Sequence, residues 1–166
     1  MRGIMLAPEV ATILREELED LRRRIIENMG RADQIVTGKT RDSLQIEIGE
    51  SGGDTYGILT GRRAFATLER GSRPWSKQPA RPPRFFVNII GEWIKNRGLE
   101  GKLNAWAVAH TLIRQGSSLY RKGGRDDIYT PEIQRTLDQL GERIIEGYSV
   151  LVTDRLNFNT TIDIKI

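Results

Sequence analysis

A chain of 166 residues has material for one well-filled core and too little for two, and its 38% hydrophobic content with 17 glycines is that of a soluble globular domain. The absence of cysteine excludes disulfide frameworks, thiolate metal sites and cysteine nucleophiles, while the single histidine, His110, excludes a His-pair metal site and leaves little for a Ser-His-Asp triad. The net charge of +4 is unevenly placed. Residues 62–97 hold nine basic side chains against Glu69 and Glu92, a net +7, whereas 1–50 are net −2 and 98–166 cancel. Most of that excess is arginine, whose forked guanidinium suits carboxylates and phosphates.

Residues 8–29 read as a long amphipathic helix, with Pro8 in its first turn and Gly30 as its stop. Val10, Ile13, Leu14, Leu18, Leu21, Ile25 and Met29 make one stripe at spacings of three and four. Thr37-Gly38-Lys39-Thr40 looks like the tail of a phosphate-binding loop. The glycine that such a loop needs five residues earlier is Asp33, and the ordinary reading is a turn capped locally by Thr40 or Asp42. Leu44, Ile46 and Ile48 alternate with polar or small residues, Ser51-Gly52-Gly53-Asp54 is a turn signal, and Thr55–Thr60 returns as the second strand of a hairpin.

Four of the six prolines fall within Arg73–Pro83, so this stretch cannot continue a helix or a central strand. Its Pro79-Ala80-Arg81-Pro82-Pro83-Arg84 matches a polyproline ligand, though a rigid structural loop explains it as well. A helix with a broad apolar face follows, from Phe85 to near Gly98. Leu103–Gln115 is apolar nearly all round, which predicts a buried helix with His110 in a core or interface position. Ser117–Asp127 is polar and glycine-rich; Asp126 and Asp127 beside Arg125 suggest a turn with local ion pairs. Thr130-Pro131 opens a last helix with the stripe Ile133, Leu137, Leu140, Ile144 and Tyr148. Ile162, Ile164 and Ile166 alternate with Thr161, Asp163 and Lys165, which predicts a terminal strand that needs a sheet to join.

The expected fold is therefore α+β: one domain over 1–166, with a small antiparallel sheet of about three strands packed against several helices. Loops near 71–84 and 117–127 are expected to project from it. No apolar run approaches the roughly 18 residues of a membrane-spanning helix, and Met1–Ala7 is too short for a secretory signal. No catalytic, cofactor or metal site is expected. The candidates for function are the interface residues Arg70, Arg73, Trp75, Arg81, Arg84 and Phe85, since arginine and aromatic side chains concentrate where proteins meet. Nucleic-acid binding by the arginine-rich 62–97 segment, with Trp75 and Phe85 stacking on bases, is the alternative.

Three motifs in this order resemble the tail-completion, or head–tail connector, proteins of tailed bacteriophages. They are Thr37-Gly38-Lys39-Thr40-Arg41-Asp42-Ser43-Leu44, then Leu68-Glu69-Arg70-Gly71-Ser72-Arg73-Pro74, then Ala80-Arg81-Pro82-Pro83-Arg84-Phe85-Phe86, and the likeness spans about residues 8–97. Arg70 stands where the family has an aromatic, and a Pro-Arg is inserted before Phe85. The resemblance implies a non-enzymatic virion protein, a homo-oligomeric ring at the neck or upper tail that contacts portal or adaptor and tail proteins. Genomic DNA would pass through its lumen, and no membrane is involved. In that setting Glu69 is expected to pair locally with Arg70 and Arg73, and Gly71 to supply a turn with positive φ.

Overall fold

The computed structural model describes residues 7–152. Helix α1 (Ala7–Arg31) leads through a short 3-10 turn to the hairpin β1 (Gln45–Ser51) and β2 (Asp54–Thr60). The short α2 (Thr67–Arg70), α3 (Arg84–Asn96), α4 (Ala105–Gln115), the short α5 (Ser118–Arg121) and α6 (Thr130–Val152) follow. The class is α+β, as composition and periodicity predict. Among the described residues the sheet has two strands where about three were expected, because the predicted third strand falls on 160–166, outside the described residues.

Gly52 and Gly53 join the strands with φ of 64° and 94°, both in the left-handed region, as a two-residue hairpin turn requires. Ile46 stands opposite Leu59 and Ile48 opposite Gly57. This face lies on α1: a Cβ on Gly57 would meet the end of the Leu18 side chain at 2.7 Å, so any larger residue would push Leu18 aside. The α1 stripe is buried as its spacing predicts, with Leu18, Leu21, Ile25 and Met29 packed around Leu44 and Ile128. Leu14 packs with Leu140 and Ile144 of α6.

Polar side chains fix how α6 lies on α1. Arg24 Nε is 2.8 Å from Glu132, and its guanidinium donates to the Thr136 hydroxyl at 2.7 Å. Arg143, two turns beyond Thr136, reaches Glu16 and Glu17 at 2.7 and 2.8 Å. The two helices are therefore antiparallel. Buried Asn28 donates to the Ile128 carbonyl at 3.0 Å and holds the start of α6 down.

Three expectations are corrected. The stop of α1 is Asp33, not Gly30: Asp33 has φ of 53°, and the amides of Asp33 and Gln34 return to the carbonyls of Gly30 and Met29. Arg97 donates to both its carboxylate and its carbonyl, which supports an unusual αL residue. Thr40 makes no side-chain cap, and Asp42 pairs with Arg41 at 2.6 Å instead. Finally, α4 is not buried all round. Ala109 and Ile113 are covered, but Trp106 is 48% exposed and lies flat on His110 with ring centroids 5.2 Å apart. Its core contact is with α3, around Ile90, Ile94 and Ala109, and no described strand residue enters that cluster.

Candidate assembly interface

The basic segment begins where β2 ends and is held by its backbone. Gly71, at φ of 69°, turns the chain where any Cβ would strike Ser117 and Tyr120. Ser72 and Ser117 then exchange bonds, Ser117 N–H donating to the Ser72 carbonyl at 2.8 Å and Ser72 N–H to the Ser117 hydroxyl at 3.0 Å. Trp75 N–H donates to the Ile113 carbonyl at the end of α4, at 3.0 Å. The segments near 71–84 and 117–127 thus fasten each other to the body while leaving most of their side chains outside.

Glu69 departs from its expected role. It is 3% exposed and pairs with neither Arg70 nor Arg73 but with the start of α6. One carboxylate oxygen accepts the amides of Ile128, Tyr129 and Thr130 at 2.9, 2.6 and 3.0 Å, and the other accepts the Thr130 hydroxyl. A helix begins with amides that have no partner and with partial positive charge, so a carboxylate from another part of the chain satisfies both. Arg125 N–H donates to the Glu69 carbonyl at 2.9 Å, completing the clamp between α2 and the 117–127 segment. Asp127 is paired with Arg125 at 2.5 Å, the local ion pair the sequence suggested. That pairing lowers the pKa of the Asp127 carboxyl.

Of the six candidates, Arg70, Arg73, Arg81 and Arg84 are exposed. Arg73, Arg81 and Arg84 have no ion pair with a described residue. The charge of Arg70 acts on the Tyr129 phenol and opposes the rise in its pKa. Trp75 is half-buried, its ring 5.1 Å from that of Phe86, so it braces the loop from within. Pro82 is buried and Pro83 precedes the first turn of α3, in keeping with a structural loop and not with a free polyproline ligand.

Phe85 is 62% exposed and begins a row along the broad apolar face that the sequence predicts for this helix. Ile89 at 54% and Trp93 at 38% follow it along α3 at intervals of four. Ile90 and Ile94 take the contact with α4 and Phe86 the contact with Trp75, and these neighbours cover only one side of so wide an apolar face. The width was legible in the sequence; which side stays open depends on where α4 and Trp75 pack.

Among the described residues no group of three His, Cys, Asp or Glu side chains is placed to hold a metal. No described helix is long and apolar enough to cross a membrane. Comparison of the chain with protein-family models, with curated proteins and with solved structures finds no match.

Proposed function

We propose that this protein is a structural virion component that forms a homo-oligomeric ring at the neck or upper tail of a tailed phage, between the portal or its adaptor and the tail. The observation that carries this reading is the order of the three motifs along 37–86, which resembles the tail-completion family. Two features of the surface support it. Arg73, Arg81 and Arg84 are exposed on a loop whose backbone is pinned at Ser72 and Trp75, so little entropy is lost when that loop docks. The open row Phe85, Ile89 and Trp93 begins where the loop ends, giving an apolar centre beside an arginine rim. One such contact repeated head to tail about an axis closes a ring.

The test is to mix the purified protein with the portal and tail proteins and examine the products by sedimentation and electron microscopy. Rings with an axial opening are expected, together with the protein's presence in purified virions. A protein that stays monomeric in that mixture and is missing from virions overturns the reading. Tight DNA binding that collapses with added salt would favour the phosphate-binding alternative, although Trp75, packed on Phe86, is no longer free to stack on a base.

A further inference from the structure

Among the described residues β2 pairs with β1 alone, so its other edge presents unpaired N–H and C=O groups. That edge borders an open groove of about 580 Å3. Leu14, Leu18 and Leu21 of α1 contribute to its lining, with Leu137 and Leu140 of α6 on the side away from β2. Charged residues enter the lining only at the two ends of β2, as Asp54 and as Arg62 and Arg63. A small-molecule pocket has a few polar side chains converging on its ligand. In this groove the hydrogen-bonding capacity lies mainly along a strand edge, and the remaining surface is mostly apolar. A β-strand with one apolar face satisfies both.

The sequence of Thr160–Ile166 has the pattern of such a strand, with Ile162, Ile164 and Ile166 alternating with polar residues. We propose that the groove beside β2 receives this segment of the same chain as a third strand, parallel to β2. This inference is independent of the neck reading.

The direction follows from the helices. Arg143 sits at Glu16 and Glu17 while Arg24 sits at Glu132, so α6 finishes at the N-terminal end of α1. Gly57 of β2 lies against Leu14 and Leu18, whereas Phe65 beyond the strand packs on Tyr129 at the start of α6, with ring centroids 5.0 Å apart. Strand β2 therefore runs in the direction of α1, and the chain leaves α6 at the Asp54 end of the groove. Residues 153–159 reach about 23 Å when extended, enough to turn back into that end. The seven residues of 160–166 match the seven of β2. Parallel strands need a long crossover, and α2 to α6 provide it.

With the isoleucines toward α1, Thr161, Asp163 and Lys165 come out beside Tyr56, Ile58 and Thr60, which alternate with the inward Gly57 and Leu59. The short tether raises the local concentration of the segment to the millimolar range, which favours its own groove over that of a second copy.

The chain has no cysteine, so introduced pairs report without background. In the full-length protein, Thr60→Cys with Lys165→Cys is expected to oxidise to a cross-linked monomer, and Thr60→Cys with Thr161→Cys to remain reduced. Hydrogen exchange on the unmodified protein supplies a second readout that needs no variant to fold: β2 amides that do not bond β1 should be protected. Cross-linked dimers would overturn the proposal by making the strand a gift to a neighbour. Cross-linking only through Thr161→Cys would overturn the direction. Failure of both pairs, with those amides exchanging freely, would leave the groove to another occupant.

Discussion

Glu69 is a buried carboxylate with four donors aimed at it from the start of α6, and its backbone carbonyl accepts a fifth from Arg125. Glu69→Ala leaves these amides without an acceptor where water has little access. At about 1–3 kcal/mol for each buried unsatisfied group, and with partial relaxation, a loss of about 3 kcal/mol is expected. Glu69→Gln keeps one acceptor oxygen and should cost less than half as much. Urea unfolding checks both, as a shifted midpoint at unchanged slope. Tyr129 gives the same contact a pH signature. Burial, and then the charge of Glu69, raises its phenol above the ordinary tyrosine value of about 10. The folded state thus favours the protonated phenol, and this contribution is complete below the ordinary value and fades as pH rises through the raised one. Melting temperature should fall in that alkaline window, and Tyr129→Phe should flatten the fall.

At the scale of elements, α1 and α3 end in the same way with different residues. Asp33 and Gly98 have φ of 53° and 63°, and in each case the next amide reaches back to a carbonyl five residues earlier. A β-branched side chain has no relief in that conformation, so Asp33→Val should cost about 1–2 kcal/mol. Asn tolerates the left-handed region, so Asp33→Asn should stay within about 1 kcal/mol. Thermal unfolding of the pair separates the backbone effect from loss of the Arg97 contact, because both variants lose the carboxylate. These ends also show what a sequence discloses. The α1 stripe and the Gly52-Gly53 hairpin were legible because period and turn chemistry are local. Gly30 looked like the stop because glycine usually is one, yet the helix continues to Arg31 and turns on an aspartate held by a residue 64 positions away. Glu69 was expected to pair with its neighbours Arg70 and Arg73 on similar grounds, since local charges are what a sequence displays. Its partners lie about 60 positions along the chain, and no spacing rule connects them. The exposure of α4 was hidden for the same reason, since an all-round apolar helix reads as buried until its neighbours are counted.

At the scale of the whole molecule, the 62–97 segment divides into residues that hold the fold and residues that hold nothing described. Arg97 belongs to the first group through Asp33, and Trp75 through Phe86. Arg73, Arg81 and Arg84 belong to the second, as do the outer side chains Phe85 and Ile89. If this face meets a neighbouring subunit, the two groups should respond in opposite ways. Replacing Arg73, Arg81 and Arg84 together with glutamate should abolish ring formation and leave the melting temperature nearly unchanged, because exposed charges contribute about 0–1 kcal/mol each to folding. Phe85→Ser with Ile89→Ser should likewise block assembly, since it removes the apolar centre, while costing the monomer little. Arg97→Ala is the control from the same basic segment: it should lower stability by about 0.5–1 kcal/mol and leave assembly intact. Parallel measurements of melting and of sedimentation in the presence of portal and tail proteins decide the matter. A triple variant that melts far below the parent would move these arginines into the fold. One that assembles normally would place the contact on another surface of the molecule.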